Sequence, residues 1–109
     1  MFVLPILAAA IAAATPLSPT DPDVRCTGLL AFKVGQTHGE DQAKLMTGLF
    51  YFIGKLKARD AAADLETLLR GTYHTDPNLV ANNAERCGAE LQHLGAEMQV
   101  VGAALTAHP

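Results

Sequence analysis

The stretch CGAELQHLGAEMQVVGAAL, residues 87–105, decides the fold of this chain. A cysteine and five large apolar side chains recur in it at spacings that alternate between four and three residues: Cys87, Leu91, Leu94, Met98, Val101 and Leu105. Such spacing places all six on one face of an α-helix, which we call the seam. The pattern predicts a long helix against which the rest of the chain packs.

Three glycines form a second row along the same helix. Gly88, Gly95 and Gly102 lie seven residues apart. An exposed glycine inside a helix costs about 1 kcal/mol relative to alanine. We therefore expect this row to let another helix approach closely, with chance in a chain rich in glycine and alanine as the alternative. Pairing of this face with a second copy of the chain, as a homodimer, stays open.

Length and charge limit the classes of partner. The 109 residues suffice for one domain, and half of them are apolar. Eight basic residues stand against eleven acidic ones, a formal net charge of −3. A nucleic-acid backbone or an anionic membrane surface selects for a basic surplus, which this chain lacks. We expect an unknown protein or a small apolar ligand as partner, and no nucleic acid.

Residues 1–14, MFVLPILAAAIAAA, are apolar throughout and end in small residues. This composition, with an A-x-A site at residues 12–14, is typical of a secretory signal peptide, although no lysine or arginine precedes the apolar run. A buried first helix or an uncleaved anchor is the alternative. A membrane-spanning helix needs about 20 apolar residues, more than this run offers. We expect a periplasmic or secreted protein with no stable membrane span after signal removal.

Export changes the meaning of the two cysteines, Cys26 and Cys87. In an oxidising compartment, two thiols in a small domain most simply form a disulfide. The bond would close a loop of about 60 residues, which on the chain-entropy model contributes about 4 kcal/mol to the free energy of unfolding. The sequence therefore predicts a Cys26–Cys87 bridge.

Four segments carry helical patterns, and two of them begin at an Asp-Pro pair. Asp21 and Asp76 each precede a proline, so that the aspartate caps the helix and the proline occupies its first turn. The predicted helices span residues 21–34, 40–59, 61–72 and 76–105, after a flexible linker at residues 15–20. The chain is thus predicted to be all-α, with a four-helix bundle-like domain at residues 21–109 and one disulfide between its first and last helices.

The apolar run GLFYFIG, residues 48–54, allows two interpretations. A short aromatic run also fits a β-strand, but strong helix formers flank it on both sides. Because the run is apolar nearly all round, it predicts a central helix contacted on more than one side. Leu49 and Phe52 of this helix, together with Leu94 and Met98 of the last one, are candidates for lining an apolar pocket, with a packed core as the alternative.

Patterns for catalysis and metal binding are missing from the sequence. The four histidines include no pair at the i, i+4 spacing of a helical metal site: His38, His74, His93 and His108. The one serine, Ser18, belongs to no nucleophile motif, and acidic pairs such as Asp60 and Asp64 are placed as helix caps. We expect no catalytic residue, no metal, no cofactor and no enzyme activity.

Three segments carry a resemblance: Val24-Arg25-Cys26, YFIGKL at residues 51–56 and RCGAEL at residues 86–91. Across residues 21–105 the chain resembles small uncharacterised exported helical proteins of Gram-negative bacteria, which implies a fold and a location. In size, helix content and cysteine number it is more loosely similar to periplasmic acid-stress chaperones. That similarity implies a protein that opens at low pH and shields unfolding partners. We therefore expect a non-catalytic binding or protective role, with a carrier of a small apolar ligand as the alternative.

Overall fold

The computed structural model describes residues 16–108, and this part of the chain is all-helical. Its elements are α1 (Pro22–Gln36), α2 (Gly39–Arg59), α3 (Leu65–Thr75) and α4 (Leu79–Ala107). The predicted all-α, bundle-like fold is confirmed, with a disulfide between the first and last helices. The predicted signal peptide, residues 1–14, lies outside the described residues.

Side-chain caps start two of the four described helices, α1 and α3. The Asp21 side chain caps α1 by accepting from the Asp23 amide at 2.9 Å, and Pro22 occupies the first turn, as predicted. The third and fourth helices begin later than predicted. Asp76 ends α3 and does not cap α4, which begins at Leu79. Asp60 ends α2 and holds a turn by accepting from the Ala62 amide, while Asp64 accepts from the Thr67 amide and starts α3.

α1, rather than α4, is the central helix. It packs against α2, α3 and α4, and its five consecutive residues 26–30 are all buried. Five residues exceed one helical turn, so α1 is covered on every side there. The predictions that α4 is the hub and that α2 is the central helix are wrong, although α2 does contact both α1 and α4. Phe50 of α2 is 60% exposed, and every residue from 95 to 108 is exposed.

The buried disulfide lies where α4 crosses α1. The Cα atoms of Cys26 and Cys87 are 5.6 Å apart, and both residues are almost completely buried. Around them one apolar cluster joins three helices: Leu29, Leu30, Leu49, Phe52 and Leu79. Among the described residues, every buried side-chain nitrogen and oxygen has a hydrogen-bond partner, so the core carries no unpaired polar group.

Close packing at glycine occurs elsewhere than predicted. A Cβ at Gly28 would lie 2.7 Å from Thr72 Oγ1 and 3.3 Å from Leu79 Cδ2, so α1 touches its neighbours there through the missing side chain. At Gly88, Gly95 and Gly102 a Cβ would meet no atom of the described chain within 4 Å. These three glycines therefore make no close helix contact within the described part of the chain.

α4 is longer than the body it packs on. Cys87 crosses α1 near the start of this 29-residue helix, and burial ends at Leu94. Residues 95–107, which we call the arm, extend for about 20 Å at the usual helical rise. The arm is a helix without a packing partner in the described chain.

The segment before α1 lies on α3. Leu17 and Pro19 are half-buried. The ring of Pro19 comes within 2.8 Å of where a Cβ would stand on Gly71 of α3. The described residues 16–20 of the predicted linker thus contact the helical domain.

Removing the disulfide tests its share of stability. We expect the double variant Cys26→Ala, Cys87→Ala to lose about 4 kcal/mol of unfolding free energy, because a loop of about 60 residues is no longer closed in the unfolded chain. Urea unfolding followed by circular dichroism measures this. Reduced wild-type protein is the control and should match the variant; an unchanged unfolding free energy in both would contradict the prediction.

Two glycine substitutions distinguish the effect of close helix contact on stability from the effect of helix propensity. Gly28→Ala should destabilise the fold by about 1–3 kcal/mol, because its methyl group meets Thr72 Oγ1 in a site where both residues are buried. Gly54→Ala should stabilise it by about 0.5–1 kcal/mol, because nothing lies within 4 Å of that Cβ and alanine is the better helix former. If the free energy of unfolding changed in the same direction in both variants, the close packing at Gly28 would be refuted.

Candidate binding groove between α2 and α4

An open groove of about 310 Å³ lies between α2 and the middle of α4. Its lining is mostly apolar and comes from one face of each helix: Lys44, Thr47, Gly48 and Tyr51 from α2, and Leu91, Leu94, Gly95 and Met98 from α4. Within each set the spacing is one, three or four residues, so each set occupies a single helical face. The two faces form the walls of the groove.

Contact between Leu91 and Gly48 forms one end of the groove. A Cβ at Gly48 would lie 2.7 Å from Leu91 Cδ1 and 3.6 Å from Leu30 Cδ1, so the leucine rests directly on the α2 backbone. Beyond Leu91, the next seam residues Leu94 and Met98 face the groove instead of a packed neighbour. The groove begins where the close contact of α4 with the body ends.

The apolar surface continues from the groove along the arm. Three seam residues are exposed there: Met98 at 53%, Val101 at 39% and Leu105 at 65%. No charged residue occurs in residues 98–107. Isolated apolar side chains are common on protein surfaces, but a contiguous apolar stripe marks an interaction site. The groove and the arm together are therefore a candidate binding surface.

The predicted apolar pocket is only partly assembled. Leu94 and Met98 line the groove, as expected of pocket residues. Leu49 and Phe52 lie instead in the core cluster with Cys26 and Leu29, because the face of α2 that carries them is turned to α1. The predicted pocket of four residues is thus replaced by a groove that contains two of them.

Sequence reasoning missed the α2 wall. Lys44, Thr47, Gly48 and Tyr51 stand at i, i+3, i+4 and i+7, the spacing of one helical face. The available signal for this wall was a glycine at residue 48 with a tyrosine one turn later on the same face. A small residue beside an aromatic one leaves room for a leucine of a neighbouring helix. This face was hidden by the stronger apolar pattern of residues 48–54.

A polar network beside the groove ties α2 to α1 and α4. Lys55 Nζ lies 2.8 Å from Asp23 Oδ1 of α1 and 2.8 Å from Glu90 Oε2 of α4. The Tyr51 hydroxyl donates to the same Glu90 oxygen at 2.9 Å. One turn further along α2, Arg59 pairs with Asp21 at 2.6 Å. Basic residues of α2 thus bridge acidic residues on the two helices that the disulfide joins.

These contacts shift pKa values in the directions that stabilise the charged pairs. The hydrogen bond from Lys55 lowers the pKa of Glu90, and the one from Arg59 lowers that of Asp21. Burial works against the charge of Lys55, but its hydrogen bonds to Asp23 and Glu90 outweigh burial and raise its pKa. Since the carboxyl pKa values are lower in the folded state, their contribution is present above the ordinary carboxyl pKa of about 4 and disappears as pH falls through the folded values.

Chemically, the groove provides contacts for binding. Lys44 is its one charged lining residue, and the Tyr51 hydroxyl already donates to Glu90. Across residues 16–108 no three histidine, cysteine or acidic side chains gather into a group that could hold a metal ion. None of the helices described in that range is both long and apolar enough to cross a membrane.

Comparisons of the chain with protein-family models, with curated proteins and with solved structures return no match. The predicted resemblances to exported helical proteins and to acid-stress chaperones therefore stay predictions. The groove, the arm and the polar network are the features from which a function can be inferred.

The polar network should make the stability of the protein depend on pH. We expect Lys55→Met to lower the unfolding free energy at about pH 7 by about 1–2 kcal/mol, between the values for exposed and buried pairs, because Asp23 and Glu90 lose their shared cation. The deficit should be smaller at about pH 2 than at about pH 7, because the pairing of Glu90 with Lys55 is lost as pH falls through the lowered pKa of Glu90. Urea unfolding at both pH values measures it.

Arg70→Met is the matched control. It breaks a pair with Glu66 whose two side chains are about three-quarters exposed, and should cost less than about 0.5 kcal/mol. Equal losses in the two variants, or a Lys55→Met deficit that persists in acid, would contradict the role given to the network.

Proposed function

We propose that this protein is a non-catalytic periplasmic binding protein that holds apolar segments of other polypeptides in a protective, chaperone-like role. One observation carries the proposal. The seam of α4 lines an apolar groove against α2 and then continues uncharged along an exposed arm. A surface of this kind is a site for a partner whose matching surface is apolar.

The composition of the surface favours binding of many different partners over selection of a single one. Met98, a flexible and polarizable side chain, lies at the junction of the groove and the arm, and methionine adapts its shape to different partners. The glycines at residues 95 and 102 leave shallow gaps beside the seam. Flexible, weakly featured apolar surfaces are typical of proteins that bind many sequences.

Two features support the location. The disulfide is of the kind that persists in oxidising compartments such as the periplasm. Residues 1–14 have the composition of a secretory signal peptide. Periplasmic proteins face whatever acid enters from the medium, so pH sensitivity of the polar network has a physiological setting.

Acid acts on this surface through the network. Protonation of Asp21 and Glu90 removes the bridges by which Arg59 and Lys55 hold α2 to α1 and α4. The disulfide still joins α1 to α4, and we expect α2 to loosen at the side where the ion pairs held it, while its apolar contacts with α1 remain. Because α2 forms one wall of the groove, its loosening widens the binding surface in acid while the fold stays tethered.

A carrier of a small apolar ligand is the second candidate. The groove, at about 310 Å³, lies at the lower end of the range for small-molecule sites, and only a few polar groups line it. A carrier would leave the arm uncovered, whereas a polypeptide segment can follow both the groove and the arm. The continuity of the two surfaces favours the polypeptide.

A pair of neighbouring substitutions tests the proposal. Met98→Asp puts a charge on the seam, while Gln99→Asp puts the same charge on the other side of the same turn, where the side chain is exposed. We expect Met98→Asp to weaken suppression of client aggregation about tenfold, a typical effect of a charge placed in an apolar contact, and Gln99→Asp to leave it unchanged. Light scattering of an acid- or heat-unfolded client measures it from about pH 7 down to about pH 3.

Apolar-dye binding and circular dichroism on the same samples report whether acid exposes more apolar surface while helix content persists. No suppression by the wild-type protein at any pH would refute the protective role. A small molecule that is extracted from the native protein and is lost in Met98→Asp would support the carrier instead.

A further inference from the structure

We propose that two copies of this protein associate through their α4 arms, which run antiparallel so that each arm lies in the α2–α4 groove of the other copy. The proposal uses the same surface as the proposed function but does not depend on it. It specifies the partner of the arm when no other polypeptide is bound.

A partner would stabilise the arm as a helix. The arm continues α4 and needs no separate nucleation, but its glycines and its unpacked face favour fraying. The arm has 13 residues, two of them glycine, and no contact with the body that buries any of them. Packing on one apolar face is the usual source of helix stability, and the exposed seam offers that face.

The seam is complementary to itself in the antiparallel direction. Leu94, Met98, Val101 and Leu105 are spaced four, three and four residues apart, which reads the same from either end. An antiparallel second copy therefore sets Leu94 against its Leu105, and Met98 against its Val101. Both arms use the same residues, as a two-fold symmetric dimer requires.

Charge favours the same arrangement. In this register the last turn of the second copy's α4 lies beside Leu94, at the part of the groove that Lys44 also lines. α4 has no basic residue in its last turn to balance the negative end of its dipole. Lys44 supplies that positive charge from the other copy. No like charges meet along the seam, because residues 98–107 are uncharged.

The contact area predicts a weak dimer. Half the lateral surface of a helix about 20 Å long and about 11 Å wide is on the order of 350 Å². The groove walls add to this, but the arm alone covers less than half of the standard size of about 800 Å² per partner, which places the contact among weak, transient interfaces. We therefore expect a monomer–dimer equilibrium with a Kd of about 10–100 µM, as in transient complexes.

Two adjacent valines make the test specific. Val101 lies on the seam, while Val100 is 71% exposed on another side of the same turn. Sedimentation equilibrium on the disulfide-bonded protein, from about 5 to about 500 µM, covers the expected affinity. We expect Val101→Asp to weaken dimerisation at least about tenfold and Val100→Asp to leave it within about twofold of wild type. Lys44→Glu should weaken it several-fold, less so at high salt.

Wild-type protein that stays monomeric up to the highest concentration would overturn the proposal. So would equal effects of the two valine substitutions, or growth into assemblies larger than a dimer. Failure here is distinguishable from failure of the proposed function. Client protection measured at about 1 µM, well below the expected Kd, reports on monomers alone.

Discussion

The crossing of α1 and α4 at the Cys26–Cys87 disulfide is the constraint on which the rest of the structure depends. The bond joins the most buried part of α1 to α4 close to its start, and the core cluster forms around it. Because α1 contacts every other helix, fixing α4 on it also fixes α4 relative to α2. The direction in which the remainder of α4 leaves the body follows from this one junction.

Three consequences for binding follow from that junction. The helix is much longer than the stretch that the body can cover, so its seam is buried up to Leu91, faces the groove at Leu94 and Met98, and is fully outside at Leu105. The groove is bounded by α2, which is held in place partly by charged groups rather than by apolar packing alone. The wall that carries the seam is covalently tethered to α1, whereas the α2 wall is held by core packing and by ion pairs.

Much of the fold could be predicted from sequence because its signals are local. Asp21-Pro22 predicts the start of α1, and two cysteines that follow a predicted signal peptide predict their bridge. Which helix is central could not be predicted. The seam shows that α4 has an apolar face, but it does not show whether another helix of the same chain covers that face. The prediction from the glycine row was wrong for the same reason. Close contact occurs instead at Gly28, which faces Thr72, and at Gly48, which faces Leu91. In the site, Leu94 and Met98 were predictable from periodicity, but the opposing wall depends on the crossing angle, which no local pattern encodes.

The most direct test of the central claim, that the exposed seam of α4 is a binding surface, is amide hydrogen exchange along α4 with and without an unfolded client, in protein dilute enough to be monomeric. Residues 83–91 should be protected in both samples, because this part of the helix packs on the body through Asn83, Cys87 and Leu91. Residues 95–107 should exchange fast in the free protein and become protected when the client is bound. If the client binds and this segment continues to exchange as in the free protein, the seam is not the binding surface and the account is wrong.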